Sequence, residues 1–214
     1  MEFQKTEIPT TENRLKVIAK RFSCNNSKKV IERIGFIGLM KLNKGLSRRR
    51  ILAHENTLLA PKLVRLNLIR SVKANLSPIF VLYDDASHNI VKILKRFCAK
   101  EAPFLEIDYD NVTHRVWRLD EADVIKRIEG LMRHKDIFIA DGHHRYEAAC
   151  TYSVEIENKP GLRALKRNSK YLMAYFVEAD EHMLTILPSH RVIRDLSILK
   201  KDEAKKRLEK FFYI

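Results

Sequence analysis

The chain has 214 residues, 45% of them apolar and 32% charged, a balance that suits a globular protein with a real core and argues against disorder. No window approaches about eighteen uncharged apolar residues, and Met1–Glu7 has no apolar core, so a membrane span and a signal peptide are both disfavoured. Cys24, Cys98 and Cys150 lack CxxC spacing, which argues against a disulfide framework or zinc knuckle and for a reducing, cytoplasmic setting, and the net charge of +14 suits an anionic partner: a phosphate ligand, nucleic acid or an acidic surface. The basic residues are spread along the chain, with local clusters only at Ser47–Arg50 and Lys200–Lys210, and a lysine-rich proteome alone produces such a balance.

Residues 1–30 are polar and poorly patterned; Glu12–Phe22 is expected to form a short helix and Asn25-Asn26-Ser27 a loop. From Ile31 the character changes, and 31–214 is expected to be one α+β domain. Ile34–Leu42 (IGFIGLMKL) is a dense apolar run that predicts a buried strand, closed by Lys44-Gly45. Pro61 suits the first turn of a helix, with Leu63, Leu66, Ile69 and Val72 at helical spacing and Asn75-Leu76-Ser77-Pro78 as its stop. Ile79–Tyr83 predicts a short buried strand and Ile90–Lys100 a helix. Thr113–Leu119 alternates like a half-exposed strand, and Asp120 is placed to cap a helix with Asp123 in its first turn and Val124, Ile128 and Leu131 on one face. Ile137–Ala140 predicts another strand, followed by a turn and a helix from about His144. Tyr171–Val177 and Met183–Leu187 read as a strand pair, and Lys201–Phe212 as a basic amphipathic helix. The irregular mixture implies an α+β fold, a mixed sheet with flanking helices.

The chemistry concentrates in IFIADGHHRYEAA, Ile137–Ala149. A helix start presents unpaired N–H groups and a partial positive charge. Gly142 allows a sharp turn and close backbone approach, and His143, His144 and Arg145 add donor side chains beside the same spot. Such a turn takes an anion, most naturally a nucleotide phosphate. Asp141 is placed to orient a histidine, cap the helix or meet a Mg²⁺ ion. Zinc is a weaker reading, since adjacent side chains seldom reach one ion and only Glu147 stands nearby; a plain helix cap with incidental histidines is the blandest.

IADGHHRYEAA resembles the phosphate-gripping GCHR turn of sulfiredoxins and the GxxR turn of ParB-type domains, and more closely the DGHHR segment of archaeal free serine kinases of the same superfamily. The order GFIGLMKL, LAHENTLLAPKLVRL, ANLSPIFVLYDD, RVWRL, IADGHHRYEAA and ILPSHRVIRDL, from about Ile31 to Leu199, resembles the prokaryotic family known as domain of unknown function 1015. Members of that family are usually longer at both ends, so the chain reads as a truncated or degenerate member.

These resemblances imply a ParB/sulfiredoxin-like core and a candidate ATP- or ADP-dependent kinase using Mg²⁺ on a small hydroxyl compound, free serine being the favoured acceptor. Phosphorylating an alcohol needs a carboxylate to accept its proton and cations or donors on the phosphate. In the serine kinases a His-Glu pair precedes a helix, then a Pro-Ile strand start, then DGHHR; here the order is His54-Glu55, Pro78-Ile79 and Asp141–Arg145. The resemblance therefore makes Glu55 the catalytic base and Asp141 a second acidic group near metal or substrate, whereas on residues alone Glu55 reads more readily as a cap for the coming helix. Lys62 and Arg65, one turn apart, are candidate phosphate contacts, or a solvated helix face. Pro188-Ser189-His190-Arg191 offers an accessory donor pair, His190 and Arg191, or a surface turn. The alternatives to a kinase are a ParB-like module binding a nucleotide or nucleic acid, and a non-catalytic remnant.

Overall fold

A computed structural model describes residues 15–23, 30–42, 51–110, 112–180, 184 and 201–210. They divide into two units, 1–184 and 185–214. The first unit carries a mixed sheet of eight strands among the described residues: β1 (Leu15–Ser23), β2 (Val30–Lys41), β3 (Ile51–Leu52), β4 (Ile79–Tyr83), β5 (Leu105–Tyr109), β6 (Val112–Leu119), β7 (Ile137–Asp141) and β8 (Tyr171–Glu178). Their order across the sheet is β3-β7-β4-β8-β2-β1-β6-β5. Pairs β3/β7 and β4/β8 are parallel and the rest antiparallel, so the α+β expectation of a mixed sheet holds.

The helix expected over Glu12–Phe22 is instead β1. Leu15, Ile18, Ala19 and Phe22 do recur at helical spacing, which invites the misreading. Pairing overrides it: β1 is hydrogen-bonded along both edges, with Val17 opposite Phe36 on one side and Trp117 on the other, and β-branched Val17 and Ile18 suit a pleated surface. The segment Leu105–Tyr109 forms an edge strand that the sequence reading passed over. Its strict alternation carried the signal, but all five residues are exposed, so no apolar run marked it. Arg115 of β6 stands directly opposite Glu106 and donates to it at 2.8 Å, as cross-strand charge pairs do.

Among the described residues five helices join this unit: α1 (Leu59–Val72), α2 (Asn89–Cys98), α3 (Ala122–Met132), α4 (His143–Glu157) and α5 (Arg163–Asn168). Helix α1 begins two residues before Pro61, which sits in its first turn, and stops where Lys73 turns left-handed and returns its N–H to the Ile69 carbonyl. Of its expected apolar row only Leu66 is buried, while Leu63 and Val72 stay exposed. Glu121, not Asp120, occupies the cap position of α3; Asp120 reaches back to Arg118 at 3.2 Å. On α3, Ile125 and Ile128 are the buried pair, with Val124 and Leu131 packed partly against the core.

The core lies between the sheet and α2, α3 and α4. Ile79, Val81 and Tyr83 of β4, Ile139 of β7 and Phe36 of β2 meet Ile90 and Leu94 of α2, Ile128 of α3 and Tyr146 and Ala149 of α4. Each fully buried aliphatic side chain there contributes about 1.5–3 kcal/mol. A smaller cluster of Leu66, Ala148, Tyr152 and Ile156 fastens α1 onto α4. Strand β8 pairs with β2 and β4; Met183–Leu187, its expected partner, lies outside the described residues except for Leu184.

In the second unit the described segment is α6 (Lys201–Leu208) and the two residues after it. Asp202 and Glu203 stand in its first turn and Lys205, Lys206 and Arg207 in its last, the arrangement that complements a helix dipole. Glu203 and Arg207 pair one turn apart at 2.8 Å. Asn25–Ser27, Lys44-Gly45, Cys24, Phe212, His190 and Arg191 lie outside the described residues.

Candidate active site at the end of strands β3 and β7

Parallel pairing sets Ile51 beside Ile137 and Leu52 beside Phe138. The chain therefore leaves β3 and β7 at the same rim of the sheet, one exit running into His54-Glu55 and the other into Asp141–Arg145. Strand β4 runs antiparallel to β7, so its start, Ser77-Pro78-Ile79, lies at that rim too, and the β4/β7 register shifts between Phe80 and Val81. Three segments distant in sequence thus meet because of strand direction alone.

Gly142 makes the turn into α4 at φ 99°, a left-handed conformation that favours glycine. A Cβ there would stand 2.7 Å from Ile79 Cγ2, so the close approach of β4 requires glycine as well. Tyr146 supplies the first amide of α4 to bond within the helix, to the Gly142 carbonyl at 2.9 Å. Among the described residues no side chain caps the helix, which leaves the amides of His143, His144 and Arg145 without helical acceptors.

Arg145 is fixed as a fork. One terminal nitrogen donates to Ser77 Oγ at 3.0 Å and to the Pro78 carbonyl, and the other meets Asp141 Oδ2. The planar guanidinium suits such divided service. Asp141 keeps most of its carboxylate exposed.

The two histidines do something the sequence did not suggest. Each uses Nε2 as an acceptor, His143 from the His54 amide at 3.4 Å and His144 from the Leu58 amide at 3.2 Å. The His143 ring is buried, and the His54 ring stands against it edge-on at 4.6 Å. Burial, reinforced by His54, pushes the His143 imidazole below its ordinary value, with Glu55 and Asp141 opposing; the ring is neutral at pH 7. Glu55 Oε2 lies 3.3 Å from His143 Nδ1, and the Glu55 side chain is 57% exposed. The pairing of carboxylate and DGHHR turn, 88 positions apart in sequence (143 − 55), is therefore a contact.

A third tie completes the loop. Thr57 Oγ1 donates to Glu147 Oε2 at 2.7 Å, and Lys62 Nζ meets the same oxygen at 3.2 Å. The Thr57 bond first, then Lys62, hold the Glu147 carboxyl below the usual range. Lys62 thus faces the turn through Glu147, while Arg65 is exposed on α1 and its side chain makes no ion pair or hydrogen bond among the described residues. Thr57, Ser77 and the Pro78 carbonyl escaped the sequence reading, since nothing local marks a residue whose partner lies 67, 68 or 90 positions away. Among the described residues no group of three or more His, Cys, Asp or Glu is arranged to hold a metal, and no helix is long and apolar enough to cross a membrane.

No curated protein and no solved structure matches the chain. A family model does, over residues 8–214, nearly the whole length, with the description "Protein of unknown function (DUF1015)". The chain therefore belongs to the DUF1015 family.

Proposed function

We propose that this protein is a nucleotide-dependent phosphotransferase that acts on a small hydroxyl compound, with a ParB/sulfiredoxin-like core and a cytoplasmic setting. The observation that carries the reading is the 3.3 Å approach of Glu55 Oε2 to His143 Nδ1, which brings an exposed carboxylate to the start of α4. In the reaction, the acceptor hydroxyl oxygen bonds to the terminal phosphorus of ATP or ADP. The bond from that phosphorus to the bridging oxygen breaks, the shortened nucleotide leaves, and the hydroxyl proton passes to Glu55. The amides of Gly142, His143, His144 and Arg145 and the helix dipole receive the phosphate. Arg145, anchored by Asp141, Ser77 and Pro78, supplies fixed positive charge beside it. Asp141 is the carboxylate that fits a Mg²⁺ ion carried by the nucleotide, which would neutralise phosphate charge.

Free serine, favoured by the DGHHR resemblance, heads the acceptors to test. Purified chain with Mg²⁺ and ATP or ADP is expected to give a phosphoester seen by phosphorus NMR. Glu55→Gln should slow its formation by about 10²-fold or more while leaving nucleotide affinity unchanged. Absence of phosphoester across hydroxy acids, sugars and polyols, or a fully active Glu55→Gln, would falsify the reading. The charge of +14 favours a second one, a ParB-like nucleic-acid module; in a gel shift it requires tight binding that survives physiological salt, because weak binding that vanishes with salt reports charge alone.

A further inference from the structure

We propose that the His143 side chain is a positioning residue for Glu55 and not a ligand of the phosphate. The reaction served rests on the phosphotransferase reading; the placement of the proton rests on geometry. An amide can only donate, so the His54 N–H at 3.4 Å demands a lone pair on His143 Nε2. The ring's single proton then sits on Nδ1, the nitrogen 3.3 Å from Glu55 Oε2. Protonating Nε2 would set N–H against N–H, so the cationic ring is disfavoured by its neighbour as well as by burial.

Exposure divides the roles. The His143 side chain is 2% exposed and Glu55 57%, so the imidazole is closed to a phosphate while the carboxylate faces outward. A neutral donor orients a carboxylate without cancelling its charge, which keeps it able to accept a proton. The loop bearing Glu55 is tied on both sides of it, at the His54 amide by His143 and at the Leu58 amide by His144, with Thr57 held by Glu147. Two adjacent histidines at a helix start thus act as paired acceptors for one loop, and the anion is left to the backbone amides and Arg145.

Long-range proton–nitrogen NMR of the full chain at pH 7 reads the ring directly. The expected His143 is neutral with its proton on Nδ1; a ring protonated on Nε2, or an imidazolium, overturns the inference. In kinetics, His143→Leu should lower kcat about tenfold or more with the nucleotide KM within about twofold. His143→Asn, whose amide nitrogen stands in for Nδ1–H, should recover most of that loss, which a merely structural role would not produce. The double variant His143→Leu/Glu55→Gln should be no slower than Glu55→Gln alone, because His143 acts through Glu55. A raised nucleotide KM with unchanged kcat in His143→Leu would make the ring a phosphate ligand and overturn the inference. A chain with the Nδ1–H ring that transfers no phosphate overturns the phosphotransferase reading alone.

Discussion

Replacing Gly142 with alanine tests the geometry on which the site depends. Two costs add. An L-residue at φ 99° loses about 1–2 kcal/mol to left-handed strain. The new Cβ would also lie 2.7 Å from Ile79 Cγ2 and 3.0 Å from Ile79 Cβ. Ile79 is fully buried on a central strand and cannot swing aside, so overpacking costs a further ~1–3 kcal/mol. The expected loss is about 2–5 kcal/mol in urea unfolding, or roughly 2–4 °C of Tm per kcal/mol at this chain length. Ile79→Ala removes Cγ2 and creates a cavity of its own, yet the double variant should lose less than the sum, because the clash disappears while the strain remains. Gly142→Ala within about 0.5 kcal/mol of the wild type, or strictly additive losses, would refute the reasoning.

Arg145→Lys should lose about 1–3 kcal/mol in the same assay, since one ammonium cannot replace a fork shared among Ser77, Pro78 and Asp141 and leaves acceptors unsatisfied; full rescue by lysine would show that only charge matters. The depressed His143 gives acid sensitivity with a defined sign. Its contribution is fully present above the unfolded value near 6.5 and is lost as pH falls from there through the lower folded value. Glu147, also depressed, adds a loss below about 4.5; urea midpoints from pH 7 to 4 should fall in that order, and His143→Asn should remove the first phase. Burial, then Glu32, push the Cys98 thiol up to about 11, so its alkylation by iodoacetamide at pH 8 should be far slower than that of an ordinary exposed thiol.

Most of the strands were legible because buried strands announce themselves. Ile79–Tyr83 alternates buried and half-buried residues within the limits read from IFVLY, and the strand before DGHHR gained only Asp141. Expectation failed where tertiary pairing outweighed local pattern, as in β1, or where exposure erased the apolar signal, as in β5. At the site, the residue types around Gly142 were legible and their roles were not. Whether an imidazole donates or accepts depends on what faces it, and the His54 and Leu58 amides arrive by way of a parallel strand pairing that no local spacing encodes. A second cluster at the other end of β4 was not anticipated at all: buried Asp85 takes the Ile90 amide at 3.0 Å and Lys135 at 3.2 Å, and Glu178 meets His88 at 2.7 Å. These are single carboxylates at strand ends, indistinguishable in sequence from ordinary turn residues.

The most direct measurement is calorimetric titration of the full chain with ADP and ATP in Mg²⁺. Submillimolar binding is expected, weakened by at least about tenfold (~1.4 kcal/mol) in Arg145→Ala, with a matching rise in wild-type melting temperature by mass action. Titrations that stay flat at millimolar nucleotide, with no change in melting temperature, would contradict the assignment of the Gly142 turn as a phosphate site.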